Sequence, residues 1–280
     1  MLGKLMKYDL RYGLRKFWPV WAGIAALSIL NGFTIRGVLI DGSHANDLVT
    51  FVAGILPIIL LGVLGVTLGI LMLVFICERF YRGLLGDEGY LMFTLPATSA
   101  ELIASKALTA LILMVLSALV GMVSGTALVA LLGGSEFIEA LRSIPELLRE
   151  AELPRGLGWV LAEFLVLVLV GTLTSCLHIY QAVALGHLAK KHRGAWAVVA
   201  YIGIDILLSI VLNAIGRMRF PWQLLDRFEF YFENGVLHSS AGAIQAALAG
   251  IGIALLWHLV LGVIFFFGTK VVLDRKLNLE

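Results

Sequence analysis

Three ionisable side chains, His178, Asp205 and His258, sit deep inside long apolar stretches. A charge at membrane depth is costly, so each needs a partner or a task. A histidine beside a carboxylate can pass a proton, contact a polar substrate, or cross-link two helices. The polar neighbours of each fall into rows. Tyr201, Asp205, Ser209 and Asn213 recur every fourth residue, and Gly171, Thr174, His178 and Gln181 recur at three and four. Such spacing places a set on one side of a helix. A third row, Gly242, Ala246, Gly250, Ala254, His258 and Gly262, is built of small residues that let another backbone come close. It winds round the helix as a ridge, because four residues overshoot one turn. Cys77 and Cys176 offer neither a disulfide framework nor a metal-ligand spacing, and no metal site is expected.

The elements that carry these rows are long and apolar. Of 280 residues, 60% are hydrophobic and 14% charged, against about 25% charged in ordinary soluble chains. A span needs about 20 apolar residues to cross a hydrocarbon core about 30 Å thick. Six segments qualify: 17–35, 50–76, 102–133, 158–188, 195–216 and 241–268. Only helices satisfy the backbone in lipid here, since the alternation of a membrane barrel is missing. The expected fold is therefore an all-α polytopic membrane protein with six transmembrane helices, forming a single transmembrane domain. Lys and Arg divide 14 to 7 between the two sides. The richer side, which takes the N-terminal segment, the 77–107 connection, the 189–194 turn and the tail, is assigned to the cytoplasm. Both termini are expected there, in a bacterial inner membrane, with loops 134–157 and 217–240 outside.

Residues 1–16 read as an amphipathic interfacial helix or, equally, as a basic topogenic flank, with Lys4, Lys7, Arg11 and Arg15 at three- and four-residue spacing and Leu2, Leu5 and Met6 elsewhere. Ser143-Ile-Pro145-Glu146 reads as a helix start on the outer surface. The aromatic-rich 217–240 loop suits the interface or short helices dipping back. Depth ties the ionisable residues together. His178 and His258 lie ten residues before the cytoplasmic ends of their spans, and Asp205 lies ten after the start of its own, about 15 Å in. The short turn near residue 190 makes the fourth and fifth helices antiparallel neighbours. Asp205 is thus expected to pair with His178 or His258. Helix cross-linking, at about 0.6 kcal/mol per bond, is the stronger reading over a proton or substrate site. The pairs Gly65/Gly69 and Gly121/Gly125 read as packing motifs at most.

The connection below the second and third helices is the most specific stretch. It runs Glu78-Arg-Phe80-Tyr81-Arg-Gly-Leu-Leu-Gly86-Asp87-Glu88-Gly89-Tyr90-Leu-Met-Phe93-Thr-Leu-Pro96, and Thr98–Glu101 forms a capping box beyond it. Two glycines bracketing two acids predict a tight turn that presents carboxylates, and the surrounding aromatics favour, by a small margin, docking on a partner protein over packing against their own bundle. Residues 86–96 in particular closely resemble the permease subunits of bacterial ATP-binding-cassette exporters of the drug and antibiotic-peptide type, and the basic start and the Lys270–Glu280 tail are similar to them too. The resemblance implies six helices per subunit, pairing with a second copy or a related permease, and a separate ATPase that docks on this connection. Phe80, Tyr81, Gly86, Asp87, Glu88, Gly89, Tyr90 and Phe93 would then form the coupling segment.

The sequence carries no Gly-x-x-x-x-Gly-Lys-Ser/Thr loop, since Gly268-Thr269-Lys270 does not qualify; ATP and Mg would belong to the partner. His-Glu-x-x-His and Gly-x-Ser-x-Gly are absent as well, so no enzyme activity is expected of this chain. The expected function is the membrane subunit of an ATP-driven exporter of a hydrophobic or peptide-like substrate, with the ATPase, a second permease and membrane lipid as partners, and no nucleic acid. A proton-coupled secondary transporter using Asp205 and the histidines, and a non-transporting scaffold or sensor, are the alternatives.

Overall fold

The computed structural model describes residues 2–37, 47–85, 97–150, 156–189, 191–217, 230–233, 236–239 and 243–275. Its helices are α1 (Leu2–Ile35), α2 (Asp47–Phe80), α3 (Ser99–Glu150), α4 (Leu157–His187), α5 (Arg193–Arg217) and α6 (Ala243–Arg275). Each contains a stretch long and apolar enough to cross a membrane, giving six candidate spans among the described residues. The chain is an all-α, multi-pass membrane protein. Its only strands, among the described residues, are an antiparallel pair of four residues each, β1 (Phe230–Glu233) and β2 (Val236–Ser239), with Glu233 opposite Val236. These strands lie within the expected 217–240 loop, for which short helices are the other expectation; residues 218–229 lie outside the described residues. The sequence between the strands is Asn234-Gly235, the dipeptide that two-residue hairpins favour because it accepts positive φ at both positions.

Three boundaries differ from expectation. The amphipathic N-terminal segment is not a separate helix: α1 runs from Leu2 to Ile35 without a break at residue 16, and Pro19 lies inside it. Its basic residues Lys4, Lys7, Arg11 and Arg15 are all exposed, while its buried residues Asp9, Gly13, Phe17, Trp21, Ile24, Ser28 and Gly32 recur at three- and four-residue spacing. One continuous stripe therefore joins the two predicted pieces. Next, α3 continues through Gly134, where φ of 53° and ψ of −124° kink the helix in a region open to glycine. The expected helix start at Ser143 is interior to this extension, and the Ser143 hydroxyl donates to Ala140 O instead of capping. Last, α2 ends in a π-helical turn, Tyr81–Leu85, extending order past the expected limit at residue 76.

The chain forms two compact units. One contains Met6–Phe75 and Ile112–Leu147. There the α1 stripe packs on α2 and α3: Phe17 meets Phe75 edge-on with centroids 5.5 Å apart. Trp21 Nε1 donates to Ser117 Oγ at 3.1 Å, and the buried Asn31 amide donates to Pro57 O at 3.1 Å. Gly32 sits where a Cβ would come within 2.6 Å of Leu131 Cβ, so this contact requires glycine. The other unit contains Met1–Leu5, Ile76–Leu111 and Leu148–Glu280, and holds the candidate sites.

Candidate functional site: an intramembrane polar seam and the base of an interhelical elbow

Helices α4, α5 and α6 meet around His178. Gly186 of α4 lies so close to α5 that a Cβ there would come within 2.6 Å of Ala197 Cα, fixing a tight crossing beside the turn. The turn itself is pinned by Leu188 N to Leu185 O at 3.1 Å and Trp196 N to His192 O at 3.1 Å, with His192 at φ 54°. Two antiparallel helices held this way bring equal depths together. His178 Nδ1 lies 3.8 Å from Asp205 Oδ1, within ion-pairing reach but too long for a hydrogen bond. The imidazole is also layered between two rings: Tyr201 at 4.3 Å and 17°, and Phe265 at 4.8 Å and 13°. All three helices thus contribute to one aromatic stack. Its exposures are uneven, because the His178 side chain is 8% exposed and that of Asp205 is 52% exposed.

His258 takes no part in that pair in the described contacts. Its Nδ1 is 2.8 Å from Ala254 O in its own helix, and its backbone carbonyl accepts from Thr174 Oγ1 at 3.0 Å. Its ring lies over Gly171, two turns of α4 from His178. Counting residues from the helix ends predicts that all three ionisable groups are level. The structure brings His178 and Asp205 together and sets His258 about 10 Å further along α4, by the helical rise. Equal distance from a helix end does not fix depth when the ends differ: α6 continues to Arg275, seven residues past its expected limit.

The seam between α4 and α6 follows one rule: a polar side chain on one helix covers a glycine of the other. Glu163 Oε1 lies over Gly252, His258 over Gly171, Thr174 Oγ1 over Gly262 and the Gln181 amide over Gly268, with virtual Cβ distances of 3.1, 3.5, 3.1 and 2.9 Å. Glu163, whose place near the outer end of its helix predicts contact with water, is half-buried against α6. Two buried atoms on this seam, His178 Nε2 and Gln181 Oε1, have no hydrogen-bond partner among the described residues. Of the small-residue row, Ala246 is buried and Gly250 and Ala254 are half-buried, while Gly242 lies outside the described residues. The contact glycines Gly252 and Gly268 do not belong to that row. A strict four-residue repeat drifts off the face that two packed helices share, which recurs at the shorter 3.5–3.6 period. At Gly65, Gly69, Gly121 and Gly125 a Cβ would meet nothing within 4 Å, so these pairs pack nothing within the described chain.

The second candidate site is the elbow. Gly86, Asp87, Glu88, Gly89, Tyr90 and Phe93 lie outside the described residues; both stubs of the elbow are described. The sequence predicts Phe80 as a docking anchor for a partner. Instead it is fully buried and stacks on Tyr180 of α4, centroids 4.4 Å apart and planes 10° apart, so it anchors the elbow to its own bundle and offers no face to a partner. The widened π turn after it rotates the following residues. Leu84 and Leu85 turn inward, Gly83 lies against the Lys106 side chain, and Tyr81 is partly exposed with its ring 5.8 Å from that of His187. His187 in turn lies 3.1 Å from Arg193 across the α4–α5 turn. On the far stub, the expected capping box is formed: Thr98 N donates to Glu101 Oε2 at 3.0 Å, and Glu101 N to Thr98 Oγ1 at 3.3 Å. Ser99 Oγ donates to Asp274 of α6. Tyr180 and Asp274, which hold the two stubs, carry no local signal in the sequence, because both contacts span about a hundred residues or more.

No metal-ligating cluster of three or more His, Cys, Asp or Glu occurs among the described residues. No protein-family model, curated protein or solved structure matches this chain.

Proposed function

We propose that this chain is the membrane-spanning subunit of an ATP-driven exporter of the ATP-binding-cassette type. It would carry a hydrophobic or peptide-like substrate across the bacterial cytoplasmic membrane, paired with a second permease copy or a related subunit. A separate ATPase binds the elbow at Asp87 and Glu88 on the cytoplasmic side, with Tyr90 and Phe93 as apolar contacts. Both ends of the chain share that side. ATP-driven closure of the motor displaces the elbow, and the helices follow as rigid bodies.

The observation that supports this best is how the elbow's two stubs are held. Residues 80–85 are locked into α4 through the Phe80–Tyr180 stack, and residues 98–101 are capped and tied to α6 through Ser99 and Asp274. A displacement applied between such stubs reaches α4 and α6 directly, because packed interiors transmit strain instead of absorbing it. The acids and aromatics of 86–93 lie between them in sequence. Purification of the tagged chain in mild detergent tests the proposal. Co-purification of a phosphate-loop ATPase, lost on reversing Asp87 and Glu88 to lysine, is the expected result; co-purification unaffected by the reversal refutes the docking role.

A proton-driven transporter is the second reading, favoured by one observation. A half-exposed Asp205 beside a buried His178 is an arrangement that proton relays use. Transport in vesicles driven by a pH gradient without ATP is the result that would select it.

A further inference from the structure

The turn between α4 and α5 borders an open apolar groove of about 450 Å³, lined by Leu185, Leu188 and Ala189 from α4 and Trp196, Val199 and Ala200 from α5. Both helices are spans, so their shared turn marks one surface of the membrane. Val199 lies six residues into α5, about 9 Å along its axis, which places the groove within the outer part of one leaflet. Trp196 is half-exposed at its mouth, the depth at which tryptophan concentrates in membrane proteins. Exposed Lys191 and His192 stand at the turn, Arg193 follows, and the sequence from 188 to 204 contains no acid. Apolar walls with a basic rim, at headgroup depth, match the two halves of one ligand.

We propose that this groove binds an anionic phospholipid, with an acyl chain along Leu188, Trp196 and Val199 and the phosphate at Lys191. The charge at the rim selects an anionic headgroup over a zwitterionic one. The inference rests on the membrane architecture and stands apart from the exporter reading, so neither falls with the other. Its consequence reaches further because Arg193 contacts His187, whose ring lies beside Tyr81 at the base of the elbow.

The full chain is reconstituted in bilayers containing phosphatidylglycerol or phosphatidylcholine brominated on the acyl chains, at equal mole fraction. Quenching of Trp196 is isolated by difference from Trp196→Phe. The expected result is stronger Trp196 quenching by brominated phosphatidylglycerol than by brominated phosphatidylcholine. Lys191→Gln should lower that preference about fivefold, the equivalent of about 1 kcal/mol per basic residue, and Lys191→Arg should retain it. Equal quenching by the two lipids, or a preference indifferent to Lys191→Gln, overturns the proposal. Native mass spectrometry of the unaltered chain probes the site without a variant: selective retention of phosphatidylglycerol supports it, and equal retention of both lipids rejects it.

Discussion

Replacing Phe80 by alanine tests whether the elbow is anchored as described. The ring is fully buried and stacked at 4.4 Å on Tyr180, itself only 1% exposed, so neither side of the space can be refilled by solvent or lipid. Truncation of a buried phenylalanine costs about 3–5 kcal/mol through lost contacts and the cavity left behind. About 0.5–1.5 kcal/mol of that belongs to the ring pair beyond its buried area. Phe80→Leu keeps most of the volume and should lose mainly the pair. A double-mutant cycle with Tyr180→Leu isolates that share as a coupling of the same size. The control is Phe267 on α6, 55% exposed, whose ring leaves hydrocarbon for hydrocarbon when removed. Equilibrium unfolding of the full chain in mixed micelles reads all of these variants. Phe80→Ala should shift the unfolding equilibrium roughly a hundredfold or more, and Phe267→Ala by less than about fivefold. Comparable small shifts in the two would refute the anchoring of Phe80.

Gly186→Leu should destabilise the same preparation by about 1–3 kcal/mol, because the new side chain meets the Ala197 backbone; Gly203→Leu, with open space around it, should cost little. Thr174→Val removes the donor to His258 O and should cost about 0.6 kcal/mol in the same unfolding assay, while a loss above about 2 kcal/mol would mean the seam is more cooperative than its single bonds. Thr98→Ala breaks the capping box and should cost about 0.5–2 kcal/mol, seen first as faster amide exchange at residues 99–102. Asp205→Asn should leave ATPase co-purification unchanged if the exporter reading holds, and should abolish transport if the proton-driven reading does.

Much of the architecture is legible in the sequence because hydrophobic length is a direct physical requirement of the bilayer. The six apolar runs are the six helices found. The approach of His178 to Asp205 is legible for a related reason: a short turn equates depths on antiparallel neighbours. Faces are harder to read. Phe80 turns inward before a π-helical widening that no 3.6-residue pattern encodes, and α3 passes through Gly133-Gly134, a pair whose composition alone marks a loop. The depth of His258 is misread because α6 outruns its apolar core by seven residues. The pairing of β1 with β2, by contrast, has a local signal, the Asn234-Gly235 dipeptide between them in sequence.

The exporter reading depends on the elbow between α2 and α3 receiving a motor protein. A photoreactive residue in place of Tyr90, activated in intact cells, reports its neighbour directly. A covalent adduct with a phosphate-loop ATPase chain, formed from the cytoplasmic side, is the expected product. Adducts confined to this chain's own helices, or formed with proteins of the outer compartment, would rule the motor-driven reading out.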